Sequence, residues 1–74
     1  MTNDKCTVAV VGLGYIGLPT AAIIARSGCE VIGVDTSQDV VETINRGDIH
    51  IEEVDLDGLV QAVVARGTLS ASTQ

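Results

Sequence analysis

The sequence is short of aromatic and cationic residues, and both shortages argue against classes of function. Its 74 residues include one tyrosine and no tryptophan or phenylalanine, and 4 basic side chains stand against 10 acidic ones. Nucleic-acid binding needs clustered Lys and Arg, and base stacking needs aromatic rings, so neither is expected. The hydrophobic content of 46% argues against a disordered chain and predicts one small domain or part of a larger one.

Cysteine and histidine are also scarce. Two cysteines, Cys6 and Cys29, are too few for a disulfide-rich framework. We expect them to lie near one another as free thiols, with a bridge between them as the alternative. The chain has no Cys-x-x-Cys pair, and its single histidine, His50, is expected to be solvated in an acidic connection, so no metal site is predicted.

The longest uncharged stretch covers residues 6–25, which is long enough to imitate a membrane span or a signal sequence. Three glycines and a proline interrupt it, and residues 1–5 carry no net positive charge. We therefore predict no membrane partner and no export, and we expect a cytoplasmic protein.

Hydrophobic patterning predicts two strands and three helices. The predicted strands cover residues 6–11 and 30–35, and the predicted helices cover residues 16–27, 36–47 and 56–66. Thr36 and Asp55 are the expected N-caps of the second and third helices. The polar run 68–74 has no predicted element. Strands joined through helices run parallel, so the predicted fold class is α/β with a parallel sheet.

A glycine motif separates the first strand from the first helix. Residues 12–17 read Gly-Leu-Gly-Tyr-Ile-Gly, a G-x-G-x-x-G in the strand-turn-helix setting of a dinucleotide site. The first glycine permits a tight turn, the second lets the backbone approach a pyrophosphate, and the third lets the helix pack closely. The next two amides are expected to point at the phosphates. The candidate cofactor-binding residues here are Gly12, Gly14, Tyr15, Ile16 and Gly17.

Asp35 ends the second predicted strand, 18 residues after Gly17. A carboxylate at this spacing accepts hydrogen bonds from the adenosine ribose and repels a 2′-phosphate, which favours NAD over NADP. The competing P-loop reading fails because Leu18 and Pro19 occupy its Lys and Ser/Thr positions. The plain structural alternative is a tight turn followed by a helix-leading acid.

With these residues in register, the sequence resembles the N-terminus of the nucleotide-sugar 6-dehydrogenases, the UDP-glucose/GDP-mannose dehydrogenase family. The resemblance covers most of the chain and is carried by residues 11–22, 31–35 and 43–51. The segment Gly-Asp-Ile-His-Ile, with Glu53 after it, is most similar to the branch that acts on UDP-N-acetyl-D-mannosamine. Val54 departs from the family, which usually has proline there.

The resemblance implies a Rossmann fold, a doubly wound parallel sheet. Residues 1–74 would be the N-terminal portion of its NAD-binding domain, with the remaining domains absent. It further implies oxidation of a UDP-sugar at C6 to a carboxylate with two NAD, for polysaccharide precursor biosynthesis, by a homo-oligomer. The family's catalytic cysteine and lysine would lie downstream, so no catalytic residue is expected in this chain, and the chain alone is expected to be inactive.

Three alternatives stay open. The chain could come from a UDP-glucose or UDP-N-acetylglucosamine 6-dehydrogenase, it could be a standalone nucleotide-binding module, or it could be a fragment with no function of its own. Two strands alone would leave both outer sheet edges unpaired. We therefore expect the isolated chain to be marginally folded or to associate through its edges, and to bind NAD weakly.

Overall fold

The computed structural model describes residues 6–52 and 54–73, and it confirms the α/β fold class. The elements in chain order are β1 (Thr7–Val11), α1 (Gly17–Arg26), β2 (Glu30–Val34), α2 (Gln38–Asn45), α3 (Leu56–Arg66) and β3 (Leu69–Ser72). Residues 1–5 and Glu53, which the sequence-based arguments used, lie outside the described residues.

The described residues form one sheet of three parallel strands in the order β1-β2-β3. Thr7 pairs in register with Glu30, and Val31 pairs with Leu69. The third strand corrects the prediction that the C-terminal polar run carries no element. Serine and alanine are weak strand formers, so no β-branched run announces it. It forms because β2 offers a backbone edge, to which it is joined by a 2.7 Å hydrogen bond from Val31 N to Thr68 O.

The hydrophobic core lies on one face of the sheet. In β2, Val31 and Gly33 are buried and alternate with Glu30, Ile32 and Val34, which are exposed or half-buried. The helices cover the Val31 face with the apolar stripes that their spacing predicts. The buried cluster comprises Leu13, Leu18, Ala21, Ala22, Ala25, Val31, Ile44, Ile51, Leu56, Val60, Val63 and Leu69.

Helix α1 accommodates its proline without loss. The helix begins at Gly17, so Pro19 is its third residue. The first four N–H groups of a helix have no intrahelical acceptor, and proline therefore costs no backbone hydrogen bond at this position. At the other end Ser27 is the C-cap, and Gly28 follows with a φ of 109°, a conformation that glycine adopts without a steric penalty.

The N-caps of α2 and α3 correct two expectations. Ser37, not Thr36, caps α2, because its hydroxyl accepts a hydrogen bond from Val40 N at 3.3 Å. The Asp35 carboxylate accepts the N–H of Ser37 at 2.9 Å, and this local turn moves the start of the helix one residue later. Asp55 occupies the N-cap position of α3 as predicted, but its backbone is left-handed with a φ of 64°, and its side chain makes no capping hydrogen bond.

The outer edge of β3 is occupied by a side chain. Ala71 N donates a hydrogen bond to Asn45 Oδ1 at 2.9 Å, and Asn45 Nδ2 donates to Ala71 O at 3.0 Å. The amide of Asn45 therefore pairs with β3 much as the backbone of another strand would. The expectation of two unpaired edges is wrong, because β2 is central in the sheet and Asn45 bonds the far side of β3.

The two cysteines form a disulfide. Cys6 and Cys29 directly precede β1 and β2, and their Cα atoms lie 4.8 Å apart, within the range that disulfides span. The in-register pairing of Thr7 with Glu30 explains why the two cysteines are neighbours. Their predicted proximity is confirmed, whereas the prediction of free thiols is wrong.

The described helices are short. The longest of them, α3, has 11 residues, and none of them combines the length and apolarity needed to cross a bilayer. Within residues 6–52 and 54–73, no three or more His, Cys, Asp or Glu side chains are grouped so that they could hold a metal ion. His50 is exposed, as predicted.

Candidate dinucleotide-binding site

The glycine turn and the end of β2 meet at one edge of the sheet. Gly12 directly follows β1 and Asp35 directly follows β2, and parallel strands bring both to the same edge. Gly12 N donates to Val34 O at 2.7 Å, which attaches the turn to β2. Together with Val11 and Thr36, these residues line an open hollow of about 160 Å³. The crevice outside the carboxyl ends of the strands is where open α/β sheets bind ligands.

The three glycines of the motif have different structural roles. Gly12 has a φ of 89°, which other residues rarely adopt. A Cβ on Gly17 would overlap the carbonyl oxygen of Gly12, so α1 can begin against the turn only with glycine there. A Cβ on Gly14, in contrast, would meet no atom within 4 Å. The fold therefore does not require a glycine at position 14, and the space in front of it is open.

The N-terminus of α1 carries backbone N–H groups that the rest of the described chain does not use. Ile16 occupies the N-cap position without a side-chain hydrogen bond, and the first turn holds no acidic residue. Neither Tyr15 N nor Ile16 N donates to another described residue. Both side chains are exposed, Tyr15 by 68% and Ile16 by 82%. Unpaired amides at the positive end of a helix dipole are suited to an anion.

Asp35 is oriented by two backbone amides. Leu13 N donates to its Oδ2 at 3.0 Å, and Ser37 N donates to its Oδ1 at 2.9 Å. The bond from Leu13, and after it the bond from Ser37, holds the pKa of Asp35 below its ordinary value of 3.8, although partial burial opposes the shift. The carboxylate is therefore ionised at neutral pH. Each oxygen has lone-pair capacity left with which to accept a hydroxyl.

Leu13 and Ser37 belong to this arrangement, although no sequence motif points to either. Leu13 lies between two exposed glycines, yet its own exposure is only 1%. Its side chain fills the space where a Cβ of Gly33 would stand. A glycine inside a buried strand signals the close approach of another group, and Gly33 is the signal that could have revealed Leu13.

Comparison with known proteins identifies the domain to which these features belong. A family model described as the UDP-glucose/GDP-mannose dehydrogenase family, NAD binding domain, matches residues 6–74. The chain belongs to this family. The resemblance found in the sequence is thereby confirmed, and so is NAD as the cofactor of this domain. The observed strand order is one half of the doubly wound order 3-2-1-4-5-6, which agrees with the predicted Rossmann fold.

Relatives within the family are nucleotide-sugar dehydrogenases. One from Ralstonia nicotianae, named NDP-N-acetyl-D-galactosaminuronic acid dehydrogenase, is 60% identical over 71 residues, which are 96% of this chain and 17% of that protein. UDP-N-acetyl-D-mannosamine dehydrogenase from Escherichia coli is 58% identical over 67 residues, which are 90% of this chain and 16% of that protein. The chain thus spans about a sixth of the length of these curated relatives.

Solved structures of the family share the fold. The native structure of the UDP-N-acetyl-mannosamine dehydrogenase Cap5O from Staphylococcus aureus superimposes with a TM-score of 0.89 and 43% identity, over 92% of this chain and 16% of that chain. A UDP-glucose dehydrogenase from Pyrobaculum islandicum superimposes with a TM-score of 0.91 at 31% identity, over 96% of this chain and 16% of that chain. Family members with different named substrates therefore share this fold.

Proposed function

We propose that the chain binds the adenosine diphosphate half of NAD, as the N-terminal portion, residues 1–74, of the NAD-binding domain of a UDP-sugar 6-dehydrogenase. The observation that carries this proposal is the juxtaposition of two complementary groups at one sheet edge. The uncapped N-terminus of α1 offers donors to an anion, and beside it the Asp35 carboxylate offers acceptors to a diol.

Each residue of the motif has a part in the proposed site. The amides of Tyr15 and Ile16 bind the pyrophosphate, since neither is otherwise used. Gly14 leaves room for that approach, while Gly12 and Gly17 shape the turn that aims the amides. Asp35 accepts the ribose hydroxyls. Bound NAD supplies the hydride acceptor for oxidation of the substrate.

The same geometry supports selection of NAD over NADP. Two amides hold the Asp35 carboxylate in place, and its pKa is lowered, so a fixed negative charge faces the ribose. A 2′-phosphate would be repelled by that charge. Thr36 and Ser37 follow Asp35 in sequence and bring no cation to offset it.

For the whole enzyme we propose oxidation of UDP-N-acetyl-D-mannosamine to its uronate with two NAD. The names of relatives support this substrate, as does the segment 43–51. The family's catalytic cysteine and lysine are expected outside these residues, so the chain is proposed to bind without turnover. A homo-oligomeric state and a cytoplasmic location stay predictions.

A second substrate is favoured by one observation. The relative that is 60% identical carries the name NDP-N-acetyl-D-galactosaminuronic acid dehydrogenase. Both candidates are nucleotide-linked N-acetylated sugars, and the 74 residues hold the proposed cofactor residues rather than a sugar pocket. The choice between them therefore depends on the rest of the enzyme.

NAD binding is tested with two glycine substitutions that are matched in chemistry. Gly14→Ala adds a methyl group to the open space of the proposed site, and Gly58→Ala adds one to exposed, open space on α3. Titration with NAD, followed by NMR of the backbone amides, should show shifts at Tyr15 and Ile16 in the wild type and in Gly58→Ala. Gly14→Ala should fold normally and lose at least about tenfold in affinity. Equal affinity in all three proteins would contradict the proposal.

The substrate is tested with the complete reading frame that contains these residues. NADH formation is measured with UDP-N-acetyl-D-mannosamine, a UDP-N-acetyl-D-galactosamine derivative and UDP-glucose as the sugar nucleotides. The proposal expects the mannosamine sugar to react with the highest kcat/KM and to yield two NADH for each sugar. Preference for either other sugar, or a yield of one NADH, would overturn it.

A further inference from the structure

We infer that Leu13 is a positioning residue for Asp35 and that it acts as a wedge against Gly33 of β2. The inference rests on the proposed function and adds to it a determinant of cofactor selectivity. Leu13 contacts no ligand in this account. Its side chain holds the glycine turn against the strand, and its amide holds the carboxylate that selects the cofactor.

The wedge is visible in the packing of the turn. Gly12 and Gly14 on either side of Leu13 are exposed, whereas Leu13 itself is 1% exposed. A Cβ on Gly33 would lie 2.6 Å from Leu13 Cδ2, 2.8 Å from Cδ1 and 3.2 Å from Cγ. Only glycine at position 33 leaves room for this side chain. The leucine therefore fixes the height of the turn above β2.

The amide of Leu13 connects that wedge to the site. Gly33 and Asp35 are two residues apart, which places them on the same side of an extended chain. The Leu13 side chain packs on the first of them, while Leu13 N donates to Oδ2 of the second at 3.0 Å. The other carboxylate oxygen is held by Ser37 N from the turn after β2. Among these contacts, the bond from Leu13 is the one that ties the carboxylate to the glycine turn.

This linkage has a consequence for cofactor choice. A carboxylate held at both oxygens keeps its charge beside the ribose 2′ position and cannot swing away from a 2′-phosphate. Released from Leu13, the side chain can rotate towards solvent, which weakens its bonds to the ribose hydroxyls of NAD and relieves the repulsion of NADP. The ratio of NAD to NADP affinity should therefore depend on the Leu13 wedge.

Four variants of the 74-residue chain test the inference. Leu13→Ala removes the wedge, and Gly33→Ala pushes against it. The double variant Gly33→Ala with Leu13→Val removes the overlapping Cδ atoms and should rescue Gly33→Ala. Leu59→Ala, at a half-buried leucine that packs on the core from α3, controls for general loss of stability.

Three measurements separate positioning from stability. NMR titration of the Asp35 carboxyl reports its pKa, amide shifts at millimolar NAD and NADP report the affinity ratio, and chemical denaturation reports folding. In Leu13→Ala and Gly33→Ala, the pKa of Asp35 should move up towards 3.8, and the NAD-to-NADP affinity ratio should fall by about tenfold. Leu59→Ala should lower stability without moving either value, and the double variant should recover most of both.

Every outcome decides the inference. Wild-type values for the Asp35 pKa and the affinity ratio in both Leu13→Ala and Gly33→Ala would overturn it, whatever their stability. If either variant does not fold, Leu13→Val alone, which removes one carbon from the wedge, carries the same measurements in the same direction. If the wild-type chain binds neither nucleotide, the proposed function fails, and the carboxyl titration by itself still decides whether Leu13 positions Asp35.

Discussion

Helices α1 and α2 begin at the same edge of the sheet, and their N-termini are built in opposite ways. Helix α2 has Ser37 as a side-chain cap and Asp39 in its first turn. Helix α1 has neither a cap nor an acid, and three glycines precede or open it. The chain satisfies the donors of α2 with its own side chains and leaves those of α1 unused.

The difference separates a helix that serves the fold from one that serves a ligand. A capping side chain stabilises a helix by about 1 kcal/mol, which α1 forgoes. An acid in the first turn would also occupy the positive end of the dipole, where a phosphate is to bind. Helix α2 is tied down at both ends, since its last residue, Asn45, bonds to β3. An uncapped helix start beside a buried sheet edge is thus informative about function.

The largest effect is expected where α1 meets the turn. Gly17→Ala should lower the free energy of unfolding by about 3 kcal/mol or more, because the new methyl group would overlap the backbone carbonyl of Gly12. Urea denaturation measures the change. Gly58→Ala, on exposed α3, is the control and should stabilise the chain by about 1 kcal/mol. An unchanged midpoint in Gly17→Ala would show that α1 does not pack on the turn as described.

The next effect concerns the far end of α2. Asn45→Ala removes both hydrogen bonds to Ala71 and should cost about 2 kcal/mol, since each such bond contributes about 1 kcal/mol. It also uncovers the edge of β3, so association should rise with protein concentration. Light scattering and hydrogen exchange at the Ala71 amide measure the two consequences. A monomer with a protected Ala71 amide would mean that Asn45 does not close this edge.

A smaller effect follows from making α1 resemble α2. Ile16→Asp supplies an N-cap and a negative charge at an exposed position, so it should stabilise the chain by about 0.5–1 kcal/mol. The same charge should lower NAD affinity by at least about tenfold. Ser37→Ala is the reverse change at α2 and should cost about 1 kcal/mol. The comparison breaks down if Ile16→Asp binds NAD as tightly as the wild type.

The smallest effect is a pH dependence at Asp35. Its pKa is lower in the folded chain than the ordinary value of 3.8, mainly through the bond from Leu13. The stability it contributes is therefore fully present above about 3.8 and is lost as the pH falls through the folded pKa. Asp35→Asn should lose stability at pH 7 and converge with the wild type in acid. Asp39→Asn, an exposed acid of α2, controls for charge alone, and parallel pH profiles for wild type and Asp35→Asn would refute the linkage.

Local patterns in the sequence predict most of the site. The glycine spacing in residues 12–17, two β-branched runs and the acid at position 35 depend on neighbours in the chain or on a fixed period, so they can be read without coordinates. The same holds for the apolar stripes of the helices. These patterns determined the α/β class, the parallel strands and the identity of the candidate NAD-binding residues.

The tertiary structure decided what depends on contacts distant in sequence. β3 exists because β2 presents an edge to a run of serine and alanine that has little strand preference of its own. Asn45 closes that strand from 26 residues away, and Leu13 reaches Asp35 across 22. Cys6 and Cys29 are joined because the strands that follow them run side by side in register. Hydrogen bonds and packing of this kind arise only when separate elements meet, and no local period encodes them.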